Sequence, residues 1–132
     1  MIDHKGRKIL IAEDELFLRD LYVEILRNEG YEVSAAENGE VAFAAITNKI
    51  FDLILLDIIM PEMDGLQVLQ SLKNVGENET FGHIVLLTNL GNDIVISKAL
   101  EYGVRGFMLK SDYTPDEILT EVKNHLSAIL GG

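Results

Sequence analysis

Five short, mostly apolar runs alternate with segments of helical periodicity, and this alternation limits the fold more than any other feature of the chain. The runs are KILIA from residue 8, YEVSAA from 31, FDLILLD from 51, HIVLLT from 83 and GFMLK from 106. Most of them are continuously apolar, which is typical of strands in a parallel sheet covered by helices on both faces. The chain is therefore predicted to adopt an α/β fold built from five strand–helix units.

The predicted helices carry recognisable start and stop signals. Apolar residues recur at helical spacing over Leu16–Asn28, and the last helix is expected to begin after Thr114, contain Pro115 in its first turn and end at Gly131. Strand–helix–strand crossovers of this kind are right-handed. The expected architecture is a (βα)5, flavodoxin-like, doubly wound parallel sheet with strand order 2-1-3-4-5. Ligands bind such sheets at the carboxyl ends of the strands, where the strand order reverses.

Composition narrows the function classes. The 132 residues suit a single domain, and the absence of cysteine excludes disulfides and zinc–thiolate sites. With 22 acidic and 11 basic residues, the formal net charge of −11 repels phosphate backbones, so no direct nucleic-acid binding is expected. No apolar stretch approaches the roughly 20 residues of a membrane span. We expect no membrane association and a cytoplasmic location.

Polar and charged residues follow four of the five strands. Glu13 and Asp14 follow the first, Asp57 ends the third, Thr88 ends the fourth and Lys110 ends the fifth. Strands one and three are neighbours in the expected order, about 4.8 Å apart, so three carboxylates share one small region. Two carboxylates about 5 Å apart repel by roughly 3 kcal/mol at an effective dielectric of 20. Proton uptake or a bound cation would relieve that repulsion, and oxygen ligands favour Mg²⁺, Mn²⁺ or Ca²⁺ over zinc.

The remaining strand ends complete a set of groups that suits phosphoryl transfer. Lys110 is expected about 10 Å from Asp57, two strand spacings away, and its stem can cover most of that gap across Thr88. A nucleophile, a cation and positive donors are what phosphoryl transfer needs. Each residue alone has a simpler explanation, such as acids favouring a helix start or an aspartate forming a turn. Their coincidence at one sheet edge favours a functional site.

Four segments together resemble the motifs of response regulator receiver domains, which have the CheY-like fold. They are ILIAEDE, DLILLDIIMPEMDGLQVL, IVLLTN and GVRGFMLKSD, and the resemblance covers about residues 7–130 of a domain expected to span 1–132. The resemblance implies that Asp57 is the phosphoacceptor, receiving a phosphoryl group from a histidine kinase or phosphotransfer protein. It implies that Thr88 and Lys110 bind phosphoryl oxygens. Such a protein assists its own phosphorylation and dephosphorylation but is not otherwise an enzyme.

The resemblance also implies a cofactor and its ligands. Mg²⁺, with Mn²⁺ as a possible substitute, would be bound directly by Asp14 and Asp57, mostly through water by Glu13, and by the backbone carbonyl of Ile59.

A signalling surface is implied as well. Phe107 would turn inward when Thr88 moves, which would change the face formed by the fourth helix, fifth strand and fifth helix. Val95 and Tyr102 are candidates for that face, and Phe17 on the first helix is a candidate contact for the phosphodonor. The expected partners are the phosphodonor and either a downstream protein or an output domain. The expected state is a monomer or a phosphorylation-dependent homodimer.

The chain departs from the family pattern at three positions. Ser111 stands where a proline usually follows the lysine, Asn89 stands where a small residue usually follows the threonine, and Glu13 stands where aspartate is more common. The bond before the family's proline is typically cis, and cis before a non-proline residue costs about 2.5–4 kcal/mol. We expect a strained cis Lys110–Ser111 bond, because the ammonium has to point at Asp57.

Two other function classes stay open from the sequence. A metal-dependent phosphohydrolase with an aspartyl-phosphate intermediate favours an acid two residues past its nucleophile, and Ile59 occupies that position here. A protein-interaction module that is not phosphorylated is the other alternative. A further expectation concerns the lifetime of the phosphorylated form. Ile59 and Leu90 cannot hydrogen-bond an attacking water, so dephosphorylation is expected to be slow.

Overall fold

The computed structural model describes residues 4–76, 81–89 and 92–131. Strands and helices alternate along it, and one parallel sheet has the order β2-β1-β3-β4-β5, which confirms the predicted fold class and strand order. The elements are β1 Lys8–Ala12, α1 Leu16–Asn28, β2 Glu32–Ala36, α2 Gly39–Asn48, β3 Leu53–Leu56, α3 Gly65–Val75, β4 His83–Thr88, α4 Asp93–Glu101, β5 Gly106–Leu109 and α5 Pro115–Leu130.

Helices cover the sheet on both faces, so side chains of the central strands are buried on whichever side they point. Leu10 of β1 and Ile54 of β3 pack with α2, α3 and α4, whereas their neighbours Ile9 and Leu53 pack with α1 and α5. All four side chains are inaccessible to solvent. Continuous apolar runs are required by a sheet that is buried on both faces, because successive side chains of a strand point to opposite sides.

Strand register brings the chain segments after the strands to one edge. Ala12 at the end of β1 pairs with Leu56 at the end of β3, and Thr88 at the end of β4 pairs with Leu109 at the end of β5. The residues that follow these pairs therefore emerge side by side. This register creates the edge on which the candidate site lies.

Two helix starts fix the loops at this edge. Thr114 caps α5, as predicted, and the structure adds a capping box with Glu117. Asp64 caps α3 in a second capping box with Gln67, which fixes the end of the loop after β3. Within the described ranges, no helix has the length and apolar character needed to cross a membrane.

Candidate functional site

Three carboxylates meet at the carboxyl edge of the central strands. Oxygens of Glu13, Asp14 and Asp57 lie within 4.8 Å of one another. Glu13 and Asp57 are buried, whereas Asp14 is exposed. The juxtaposition predicted from the strand order is therefore present, and one of the three groups remains open to solvent.

Lys110 enters this cluster from the far side of β4. Its ammonium donates a hydrogen bond of 2.6 Å to Oδ2 of Asp57 and also forms an ion pair with Glu13. The lysine stem thus spans the distance from β5 across β4 to Asp57, as predicted. Among the described residues, Lys110 pairs with both buried carboxylates of the cluster, so one ammonium serves two acids.

Burial and pairing act in opposite directions on the charged groups. Burial raises the pKa of Glu13 above its ordinary value, and the contacts with Lys110 and the Glu15 N–H offset only part of that rise. Burial lowers the pKa of Lys110, but hydrogen bonds to Asp57 and Glu13 outweigh it and raise that pKa above the ordinary value of 10.5. Lys110 is accordingly a cation at neutral pH.

Backbone groups hold the acidic side chains in place. The N–H of Glu15 donates to Oε2 of Glu13 at 3.1 Å, and the N–H of Ile59 donates to Oδ1 of Asp57 at 3.3 Å. The Ile59 side chain is 58% exposed beside this contact. The role of its carbonyl as a metal ligand stays a prediction.

Arg19 is a site residue that the sequence argument missed. Its Nη1 donates to the backbone oxygens of Glu13 at 2.9 Å and Asp14 at 3.2 Å, so its guanidinium bridges the carbonyls of the acid pair. A basic residue in the first turn of a helix that directly follows three acids was the available signal. Arg19 thereby fixes the turn that carries two of the three carboxylates.

The loop after β3 is held tightly against the strand. The N–H of Gly65 donates to the carbonyl of Ile58 at 2.8 Å. A Cβ at Gly65 would lie 2.4 Å from the carbonyl oxygen of Asp57 and 2.9 Å from Cα of Ile58. Only glycine permits this close approach, which places α3 directly behind the phosphoacceptor candidate.

Thr88 completes the set of predicted side chains. It is fully buried as the last residue of β4, between the strand that precedes Asp57 and the strand that precedes Lys110. Its place between them follows from the sheet order. Leu90, one of the two residues expected to shield the site from water, lies outside the described residues.

The expected cis bond between Lys110 and Ser111 is wrong. The bond is trans, and the Lys110 ammonium still reaches Asp57. Lys110 also lies in a short 3₁₀ turn, Lys110–Asp112, rather than in the strand. The N–H of Ser111 donates to Oδ1 of Asn89 at 3.1 Å. A proline at 111 has no backbone N–H, so this hydrogen bond to Asn89 requires a residue other than proline.

The candidate partner surfaces differ in exposure. Phe107 is 47% exposed, and Phe17 is also largely exposed. Val95 and Tyr102 instead pack, partly buried, against the core, and the ammonium of Lys98 lies 5.3 Å from the centre of the Tyr102 ring. Tyr102 and Val95 therefore contribute to packing of α4, whereas Phe107 and Phe17 remain available at the surface.

The donor set fits a divalent cation of the magnesium type. All three side chains supply carboxylate oxygens, two of them from neighbouring strand ends and one that is open to solvent. Mg²⁺ is bound through one or two carboxylates with several waters retained, and the exposed Asp14 leaves room for such waters. The residues present therefore fit a magnesium ion.

Comparisons with known proteins agree with the fold. A family model described as the response regulator receiver domain matches residues 9–123. Sporulation initiation phosphotransferase F of Bacillus subtilis (strain 168) is 34% identical over 121 residues, which cover 92% of this chain and 94% of that protein. Chemotaxis protein CheY of the same organism is 31% identical, with 92% of this chain and 99% of that protein covered.

Longer relatives contain a matching segment as one part. The regulatory protein VanRc of Enterococcus gallinarum is 32% identical over 92% of this chain, and the chain spans only 50% of its length. Among solved structures, a CheY-like receiver domain protein from Methanospirillum hungatei JF-1 superposes with a TM-score of 0.84 at 26% identity, covering 96% of this chain and 98% of that one. The chain belongs to the response regulator receiver domain family of two-component signal transduction.

Proposed function

We propose that Asp57 of this receiver domain accepts a phosphoryl group from a phosphohistidine of a histidine kinase or phosphotransfer protein. One observation carries the proposal. Asp57 is a buried carboxylate at the end of a central strand, with a lysine ammonium 2.6 Å away and two further carboxylates beside it. A nucleophile benefits from a rigid support, and a central strand with both faces buried provides one.

The transfer moves one phosphoryl group between two side chains. A carboxylate oxygen of Asp57 attacks the phosphorus, a P–O bond forms as the P–N bond of the phosphohistidine breaks, and the imidazole nitrogen leaves with the bonding electron pair and takes up a proton. Negative charge is spread over the phosphoryl oxygens in the transition state. Thr88 ends β4 and Lys110 follows β5 at the same sheet edge. The Thr88 hydroxyl and the Lys110 ammonium would stabilise that charge.

Glu13, Asp14 and Asp57 would hold Mg²⁺, with Mn²⁺ as a substitute. The cation supplies positive charge that offsets the repulsion between the acidic cluster and the incoming phosphoryl group. Arg19 keeps the two acids after β1 in position through their backbone carbonyls. Lys110 holds Asp57 and Glu13 together from the opposite side.

Phosphorylation would be read out at the face formed by α4, β5 and α5. Thr88 pairs with Leu109 on β5, two residues after Phe107. Thr88 and the exposed Phe107 therefore lie on neighbouring strands, so that a movement of Thr88 towards a phosphoryl oxygen would affect the surroundings of the ring. A Phe107 ring that turns inward would remove an apolar group from this face. The result would be a phosphorylation-dependent surface for a downstream protein, an output domain or a second copy of the chain.

Incubation with acetyl phosphate and Mg²⁺, followed by intact-mass measurement, tests the proposal. The parent should gain one phosphoryl group, Asp57→Asn should gain none, and Asp52→Asn at the opposite sheet edge should gain one as the parent does. Excess EDTA should suppress the labelling. A labelled Asp57→Asn variant, or full labelling in EDTA, contradicts the assignment.

The same experiment separates the two alternative functions. Steady turnover of added phosphate esters would support a phosphohydrolase, although Ile59 in place of an acid argues against one. A parent protein that takes up no phosphoryl group would support an interaction module that is not phosphorylated.

A further inference from the structure

Two of the departures from the family pattern contact each other, which the sequence did not indicate. Oδ1 of Asn89 accepts the N–H of Ser111 at 3.1 Å. Asn89 directly follows Thr88, and Ser111 directly follows Lys110. One hydrogen bond therefore connects the residues immediately behind the two side chains to which phosphoryl binding is assigned.

The Ser111 N–H needs an acceptor from elsewhere in the chain. Ser111 lies in the first part of the 3₁₀ turn Lys110–Asp112, and the N–H groups at the start of a helical turn have no partner within it. The Asn89 side chain supplies that acceptor across two loops. A serine at 111 provides a donor that proline lacks, and an asparagine at 89 provides an acceptor that a small apolar residue lacks.

The backbone of Lys110 is restrained on both sides, and the Asn89–Ser111 hydrogen bond supplies the restraint on the C-terminal side. On the first side, pairing of Thr88 with Leu109 fixes the residue before Lys110. On the second side, Asn89 holds the residue after it. The ammonium stands at the end of a long stem, 2.6 Å from Asp57, and a small rotation of the turn would displace it.

We propose that Asn89 is a positioning residue that acts through Ser111 to hold Lys110 at the phosphoacceptor. The Asn89–Ser111 hydrogen bond restrains the residue after Lys110 while the Lys110–Ser111 bond is trans. It also ties the turn after β4 to the turn after β5, which keeps Thr88 and Lys110 at a constant spacing. The inference rests on the proposed phosphorylation of Asp57.

A set of combined substitutions isolates the hydrogen bond. Asn89→Ala removes the acceptor and is compared in three backgrounds: the parent, Ser111→Ala, which retains the N–H, and Ser111→Pro, which removes it. The readout is the maximal rate of phosphorylation by acetyl phosphate in saturating Mg²⁺, with circular dichroism confirming that each variant is folded. Asn89→Ala should slow phosphorylation about fivefold in the parent and in Ser111→Ala, and should have no effect in Ser111→Pro, as expected for a shared interaction.

A second comparison separates positioning of Lys110 from a general structural role. In a Lys110→Met background, Asn89→Ala should have no further effect on the phosphorylation rate, because the group on which it acts is missing. Equal slowing by Asn89→Ala in all backgrounds, or slowing in none, overturns the proposal.

Failure of the proposed function gives a different result. A parent protein without any label contradicts phosphorylation at Asp57 itself. The positioning role is then tested by the ¹⁵N resonance of the Lys110 ammonium, which should shift in Asn89→Ala and stay in place in the exposed control Asp112→Asn. A Lys110 resonance that is the same in Asn89→Ala as in the parent overturns the positioning role.

Discussion

The two edges of the sheet each carry an ion pair, and the pairs are built differently. At the amino edge, Arg7 lies 3.7 Å from Asp52, with 47% and 26% of their side chains exposed. At the carboxyl edge, Lys110 lies 2.6 Å from Asp57, with 9% and 6% exposed. The first pair lies in water, where such contacts contribute little to stability, and the second lies where charges are costly to separate.

The charge balance and the backbone contacts also differ. Asp52 accepts the N–H of Lys8 at 2.8 Å and donates its own N–H to the Lys8 carbonyl at 2.8 Å, so it links the start of β1 to the residue before β3, and its charge is matched by Arg7. Asp57 shares Lys110 with Glu13, and the Asp14 carboxylate lies beside both acids. A matched, exposed pair indicates a structural role, whereas a largely buried cluster with more carboxylates than paired cations is the arrangement that the proposed function requires.

Of the substitutions that test this comparison, Lys110→Met should have the largest effect on stability and on phosphorylation. It leaves the buried Asp57 and Glu13 without their cation, so the free energy of unfolding should fall by about 3 kcal/mol in the absence of divalent cations. Phosphorylation by acetyl phosphate should slow about 100-fold. Chemical denaturation with and without Mg²⁺ checks the first effect, and added Mg²⁺ should recover part of the lost stability.

The pH dependence of that stability difference has a defined sign. The pKa of Lys110 is raised in the folded protein above 10.5, so its contribution is complete below that pH and is lost as the pH rises through the folded-state pKa. Above neutral pH, the gap in unfolding free energy between the parent and Lys110→Met should therefore shrink only in strongly alkaline solution. A gap that closes near neutral pH contradicts the assignment of the effect to the ammonium.

Alanine substitutions of two glycines, one at each sheet edge, compare the two edges at the same degree of steric conflict. A Cβ at Gly65 would meet the Asp57 carbonyl, and a Cβ at Gly82, which has φ +104°, would meet the Phe51 carbonyl, each at 2.4 Å. Alanine at either position should lower the free energy of unfolding by about 1–3 kcal/mol. Only Gly65→Ala should also slow phosphorylation, because it displaces the backbone of Asp57. Equal phosphorylation rates in the two variants would argue against that link.

Ile59→Asn should shorten the lifetime of the phosphorylated form. The exposed Ile59 side chain stands next to Asp57 and cannot hydrogen-bond an attacking water. An asparagine that orients this water could add one hydrogen bond, worth about 1.4 kcal/mol, which corresponds to about tenfold faster decay. The decay of the label in Mg²⁺ measures the effect, with Ile59→Val as the control. Equal decay of the two variants would contradict the shielding expectation.

Arg7→Met should have the smallest effect. The Arg7–Asp52 pair is exposed, so the free energy of unfolding should fall by no more than about 1 kcal/mol, and high salt should reduce the difference further. Phosphorylation should be unchanged. A loss of stability as large as that of Lys110→Met would show that exposure does not separate the two edges.

Much of the fold could be predicted because it depends on local patterns. β1 and β4 have the predicted bounds, since continuous apolar runs mark strands that are buried on both faces. The start of α5 was readable from Thr114, because helix capping depends on a few neighbouring residues. The position of Arg19 after the acids was a readable signal, but its bonds to two backbone carbonyls were not. The Asn89–Ser111 hydrogen bond was not readable either, because the direction of the backbone group in it is set only in the folded chain.

The sequence by itself determined the elements, their order and the residues that follow each strand, because side-chain periodicity and capping act over a few residues. It thereby placed Glu13, Asp14, Asp57, Thr88 and Lys110 at one edge. The tertiary structure alone decided which of these groups are buried, that one ammonium serves two carboxylates, and that the Lys110–Ser111 bond is trans. These properties depend on loops of distant strands that meet only when the sheet has formed, and the cost of a charge or a peptide conformation is set by what those loops place around it.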